Sequence, residues 1–208
     1  MGAPIVPQVS NALELLDFFG IGVFAISGAL LAAEKRQTLV TFIFFAVVTG
    51  VGGGTLRDLL IGAPVFWVHK NATLLICIGA ALGVWLVSSR RIAAKALDWF
   101  DAAGLAAYAT YGSAKALGYG VAPVPAFAMG VLTACVGGII RDLLAGEPSI
   151  LMRPELYVTA AALAAGLFVG LTLVGEPLWV AALISAAAGL GLRALAIVRG
   201  WKLPAYRA

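Results

Sequence analysis

Residues 48–64 read VTGVGGGTLRDLLIGAP, and residues 132–148 read LTACVGGIIRDLLAGEP. At an offset of 84 residues, nine of these seventeen positions are identical. The same offset carries Asp17 onto Asp101, Gly20 onto Gly104, Ala25 onto Ala109 and Gly28 onto Gly112. Self-similarity at a fixed offset marks a duplicated structural unit. In each copy an apolar run ends in glycines, and an Arg-Asp pair follows.

The surrounding composition says where such a unit lives. Of 208 residues, 62% are hydrophobic and 12% are charged, against about 25% charged in soluble domains. Mean hydropathy is +1.02. A bilayer core takes about 20 apolar residues per helix, and seven such spans are present, over 13–33, 38–60, 71–89, 98–118, 122–144, 155–174 and 177–197. The expected fold is therefore an all-α polytopic membrane protein forming one transmembrane domain over 1–208. A net charge of +4, dispersed along the chain, argues against nucleic acid as a partner. Residues 1–11 contain no Lys or Arg, so no secretory leader is expected and the first span stays in the protein. Cys77 and Cys135 fall inside apolar spans and read as buried free thiols.

Three spans per copy is an odd number, so the second copy must enter the membrane from the opposite side. The expected architecture is an inverted repeat, with repeat one over 12–89, repeat two over 96–174 and a seventh helix over 177–198. Folds of this kind place binding or conduction sites between their halves. Orientation follows from basic residues in the loops. The side holding the 1–2, 3–4 and 5–6 loops and the C-terminus carries Lys35, Arg36, Arg90, Arg91, Lys95, Arg153, Arg193, Arg199, Lys202 and Arg207, and the other only Lys70 and Lys115. An outside N-terminus and a cytoplasmic C-terminus are expected.

The motif itself predicts a local break. Glycine weakens a helix by about 1 kcal/mol relative to alanine. Gly52, Gly53 and Gly54, and Gly137 and Gly138 in the second copy, are expected to kink or unwind their spans and turn carbonyl oxygens toward a hydrated path. Thr49, Thr55 and Thr133 would add hydroxyls. Gly79-x-x-x-Gly83 and Gly166-x-x-x-Gly170 read instead as small-residue packing faces. Arg57, Asp58, Arg141 and Asp142 lie at membrane depth, where ionisable groups are costly and face a cavity or one another. Asp17 and Asp101, at the starts of the first and fourth spans, are their candidate partners. Two readings of these charges stand together: a gated ion path, and structural ion pairs tying helices. Lys115, near the outer end of the fourth span, reads as an interfacial lysine or as a further pore charge. Trp67, Trp85, Trp99, Trp179 and Trp201 read as interfacial anchors.

Seven spans, a three-plus-three inverted repeat, GGGTLRD in the second span and VGGIIRD in the fifth resemble the prokaryotic members of the trimeric intracellular cation channel family. The resemblance covers residues 12–198. It implies a homotrimer with a pore in each protomer, lined by glycine-kinked second and fifth helices and conducting potassium, with sodium as a second cation. It also implies a multi-pass protein of the prokaryotic inner membrane. Animal members carry a Lys-Glu-Val motif in the fourth span. Here Lys115 is followed by Ala116 and Leu117, which argues against inositol-lipid binding.

The alternative function is a secondary transporter of glycine or another small zwitterion, in which an arginine grips the carboxylate and an aspartate the amine. No nucleophile–base set and no metal-ligand cluster occurs in the sequence, so neither a catalytic site, a metal site nor a cofactor is expected, and an enzyme ranks last.

Overall fold

A computed structural model describes residues 11–87, 90–152 and 154–204. Seven α-helices follow one another: α1 (Asn11–Glu34), α2 (Leu39–Leu60), α3 (Asn71–Val87), α4 (Arg90–Gly118), α5 (Pro123–Leu144), α6 (Val158–Leu173) and α7 (Leu178–Arg199), with a 3-10 turn at Ile150–Met152. No β-strand occurs among the described residues, only an isolated bridge between Glu155 and Lys202. The fourth helix starts at Arg90, ahead of the apolar segment, and the sixth starts at Val158. Helices α1, α2, α5 and α7 are long and apolar enough to cross a bilayer, while α3 and α6 are apolar but shorter. Arg153 and Arg207, counted above among the cytoplasmic charges, lie outside the described residues.

Local signals account for the helix ends. The Thr38 side chain caps α2 by accepting from the Thr41 N–H, and a proline opens α5, where a missing N–H costs nothing. After α2 and α5 the chain turns through Gly62 and Gly146 at φ 68° and 69°, a left-handed conformation that glycine adopts freely.

The packing carries the signature of a two-fold axis. Helices α1 and α4 are central neighbours, and α2 and α5 pack against each other. A side chain at Gly20 would meet the Tyr108 ring at 2.7 Å, and one at Gly104 would meet the Phe24 ring at 2.9 Å. Each contact is the other with the two copies exchanged. The Phe24 and Tyr108 rings themselves lie 5.3 Å apart. The α2–α5 crossing repeats the pattern: Gly53 abuts the Thr133 carbonyl, and Gly137 abuts the Thr49 carbonyl. The halves are antiparallel. The end of α2 meets the end of α4 through Asp58 and Lys115, whereas the end of α5 meets the first half of α4 through Arg141 and Asp101. Helix α7 has no counterpart in the repeat and packs on α4 and α6.

Helices α2 and α5 run continuously wound through Gly52–Gly54 and Gly137–Gly138, so the expected unwound turn is absent. The helices cross at Gly53 and Gly137, where the missing Cβ lets one backbone touch the other. Close approach of this kind is the other established use of glycine between membrane helices. Conversely, among the described residues nothing lies within 4 Å of a Cβ built at Gly79, Gly83 or Gly170, whereas one at Gly166 would meet the Phe127 ring at 3.6 Å.

Candidate functional site

Two charge clusters sit on either side of the α2–α5 crossing, and each grows from one motif. In the second copy, Arg141 donates from Nε and Nη2 to Asp142 Oδ1 at 2.9 and 2.8 Å, and from Nη1 to Asp101 Oδ1 at 2.6 Å. Nη1 also donates to the Ser27 hydroxyl, contributed by α1. Asp142 Oδ2 accepts the Ile150 N–H at 2.9 Å, so one carboxylate holds both the arginine and the turn after α5. All three charged residues are at most 3% exposed. A guanidinium forks naturally onto two carboxylates.

The first copy keeps half of this pattern. Arg57 Nε donates to Asp58 Oδ1 at 2.9 Å, and Asp58 Oδ2 accepts the Phe66 N–H at 3.0 Å. Eight residues separate acceptor and donor, as they do for Asp142 and Ile150. Asp17, the counterpart of Asp101, makes no ion pair with Arg57 within 4 Å; the Tyr111 side chain is its neighbour instead. Arg57 lies over the Tyr111 ring, 5.1 Å from its centroid. A second cation takes the vacant role: Lys115 Nζ approaches Asp58 Oδ1 at 2.8 Å and Oδ2 at 2.9 Å. Lys115 therefore turns inward rather than toward the interface. Its counterpart in the first copy is Leu31, so this cation breaks the repeat's symmetry.

Of the two readings of the motif charges, ion pairing is observed directly. It leaves the clusters electrically unequal. Among the described residues, Arg57 and Lys115 balance Asp17 and Asp58, whereas Arg141 alone faces Asp101 and Asp142. The first cluster also lies beneath a cavity of about 580 Å³. The cavity is walled by the start of α1, the 64–70 loop, the end of α4, the end of α6 and the start of α7, and both Asp17 and Lys115 line it. His69 and Lys70 stand on its wall, with Lys70 Nζ paired to Glu14 at 2.9 Å.

The glycines and threonines of the motif form the wall between the clusters. Thr49 Oγ1 donates to the Phe45 carbonyl at 2.7 Å, and Thr133 Oγ1 to the Met129 carbonyl at 2.5 Å. Both side chains are fully buried, and no hydroxyl there is open to a passage in this conformation. Thr55 likewise returns to the Val51 carbonyl and accepts the Trp67 indole N–H. Gly54 leaves room for the Phe66 ring, and Gly138 for the Tyr157 hydroxyl and Asp101. Gly52 faces the tip of Ile140.

Sequence reasoning missed several members. Ser27 and Tyr111 are counterparts at the 84-residue offset, and each serves the arginine of the opposite copy. The offset pairs them but does not say what they touch. Arg193, counted above as a loop charge, lies buried on α7 with Nη2 2.6 Å from Glu155 Oε2 and its guanidinium over the Tyr157 ring. Its place inside an apolar span was the available signal. Cys77 and Cys135 are free and buried.

Known proteins resemble this chain in sequence and in fold. A family model described as "Glycine transporter" matches twice, over residues 14–89 and 98–172, once for each copy. A "UPF0126 membrane protein" of Vibrio cholerae is 44% identical over 73% of this chain, a region that spans only 64% of that relative's length. The "UPF0126 inner membrane protein YadS" of Escherichia coli is 43% identical over 70% of this chain and 72% of its own. Among solved structures, the trimeric intracellular cation channel orthologue from Rhodobacter sphaeroides superposes with a TM-score of 0.86 at 44% identity, covering 91% of this chain and 98% of that one. A prokaryotic channel of the same family, solved in 0.5 M KCl, gives 0.84 at 28% identity over 92% and 98%. A Caenorhabditis elegans channel gives 0.61 at 13% identity, a likeness of fold alone. A duplicated three-helix unit with an Arg-Asp motif in each copy, matched in sequence and superposed over nearly the whole chain, makes this seven-helix membrane protein a member of the trimeric intracellular cation channel family.

Proposed function

We propose that this protein is a monovalent-cation channel of a prokaryotic inner membrane, acting as a homotrimer with one pathway in each protomer. Potassium is the main permeant ion and sodium the second. The N-terminus lies outside and the C-terminus in the cytoplasm, as the loop charges favour. The pathway enters through the cavity above Asp17 and Lys115, passes the α2–α5 crossing and leaves past Asp101, Arg141 and Asp142. One observation carries this reading: two buried charge clusters flank a glycine-mediated helix crossing, within the fold of the Rhodobacter channel. Each arginine is neutralised by its own aspartate, so neither presents a bare positive charge to an entering cation. Among the described residues the first cluster is balanced and the second has one carboxylate in excess, and that gradient of charge favours cations over anions.

The crossing is the gate in this proposal. Backbone contact at Gly53 and Gly137 closes the seam, and separating α2 from α5 would bring Thr49, Thr133 and neighbouring carbonyls into contact with water. Gly52, Gly54 and Gly138 border the same seam. Conduction requires polar groups that replace part of an ion's hydration shell. Purified protein in planar bilayers should carry unitary potassium currents, and a membrane silent at every voltage would overturn the reading.

The second reading is a transporter of glycine or another small zwitterion. It is favoured by the description of the matching family model and by the suitability of inverted repeats for alternating access. Saturable, gradient-dependent uptake of labelled glycine into proteoliposomes, without unitary currents, would replace the channel reading with this one.

A further inference from the structure

We infer that the cavity beside α1 and α4 binds the zwitterion of an amino acid with a large apolar side chain. This goes beyond conduction and stands on the cavity itself. Asp17 lines the cavity and is 5% exposed. Its Oδ1 is shielded and has no hydrogen-bond partner, and the Tyr111 side chain lies beside the carboxylate. A buried acceptor left open in this way costs free energy until a donor fills it, and an ammonium group is the strongest donor for a carboxylate. Lys70, on the same wall, is already paired to Glu14.

A ligand carboxylate has its own counterpart. Arg57 and Lys115 share Asp58, so these three groups together carry one positive charge. Lys115 presents that charge to the cavity. Asp17 and this triad therefore offer one negative and one positive pole, matching an α-amino acid and leaving the occupied site neutral. A simple amine or a simple carboxylate would satisfy only one pole.

Size and lining select the side chain. A volume of about 580 Å³ lies within the range of about 300–1,000 Å³ that holds drug-sized ligands, and glycine would leave most of it empty. The remaining walls include Leu13, Val65, Phe168 and Leu178. Apolar surface of that kind rewards an aromatic or branched aliphatic side chain.

The test compares four probes on the full-length protein in detergent, by saturable binding of labelled L-phenylalanine and competition against it. The competitors are phenethylamine, 3-phenylpropanoate and glycine. Phenylalanine should bind about tenfold or more tightly than each of the three, because each lacks one recognised group. Asp17→Asn should weaken phenylalanine binding by a similar factor. Thr172→Trp, which fills the cavity without touching a charge, should abolish it and provides the check should the Asp17 variant fail to fold. Equal affinity for any competitor, or wild-type affinity in either folded variant, would overturn the inference. The outcome is independent of conduction: a protein silent in bilayers that still binds phenylalanine selectively would sink the channel reading and leave this one standing.

Discussion

Three adjacent glycines occupy α2, yet their neighbours assign them different sensitivities, and alanine substitution separates them. At Gly53 a Cβ would overlap the backbone carbonyl of Thr133 on α5; at the reciprocal position Gly137 it would lie 2.5 Å from the Thr49 carbonyl. Ordinary van der Waals contact begins near 3.4 Å, so Gly137→Ala requires α2 and α5 to part by about 1 Å. Neither carbonyl can rotate aside, because each belongs to a helix backbone. Overpacking of this kind costs about 1–3 kcal/mol, against a gain of about 1 kcal/mol from replacing glycine by alanine in a helix. Gly53→Ala, with the deeper overlap, should sit at the upper end, a net loss of about 2 kcal/mol. At Gly52 the nearest atom is the Ile140 Cδ1 at 3.3 Å, the end of a flexible side chain. Gly52→Ala should therefore be neutral or stabilising by up to about 1 kcal/mol. The double variant Gly53→Ala/Gly137→Ala should lose less than the sum of the single variants, because one separation of the helices relieves both contacts. Thermal unfolding in detergent, followed by intrinsic tryptophan fluorescence, reads all four proteins. If Gly52→Ala and Gly53→Ala shift the midpoint equally, or if the double variant is fully additive, α2 and α5 do not cross through these glycines.

The charge clusters yield further expectations. Arg141→Met strands Asp101 and Asp142 without a cation and should cost about 3–5 kcal/mol; Arg141→Lys, which lacks the planar fork, should fall between it and the wild type, by the same unfolding assay and by yield of folded protein. Lys115→Met leaves Asp58 still bound to Arg57 and the Phe66 N–H, so it should destabilise less than Arg141→Met. Because it turns a balanced cluster negative, it should also raise single-channel potassium current at low ionic strength, with the difference shrinking as salt screens it; an unchanged or reduced current would count against a pathway past this cluster. The half-exposed Lys70–Glu14 pair should contribute under about 1 kcal/mol, so Lys70→Gln should move the unfolding midpoint little, in contrast to the buried pairs.

Much of this protein is written along the chain. Apolar run lengths determined a membrane bundle, and the 84-residue offset determined a duplicated unit. The odd number of spans in that unit required the copies to be inverted. These are properties of one segment at a time, or of two segments compared, so they survive without knowledge of what touches what. The charged motif pairs were legible for the same reason, because an arginine and aspartate inside an apolar run stand out against their neighbours.

What the tertiary structure alone decided is which side chains meet. Gly53 and Gly79 are both glycines in apolar helices, but one presses against another backbone and the other faces open space; the distinction depends on how each helix is rotated about its axis and where it crosses a neighbour. Asp17 and Asp101 are equivalent by sequence, yet only Asp101 holds its arginine, because Lys115 has entered the first cluster and Ser27 supports the second. Arg193 reads as a loop charge until α7 turns it toward Glu155. Helical periodicity gives each residue a direction relative to its own axis; the partner in that direction is set by the packing of two helices against each other, and that information lies in no single segment of the chain.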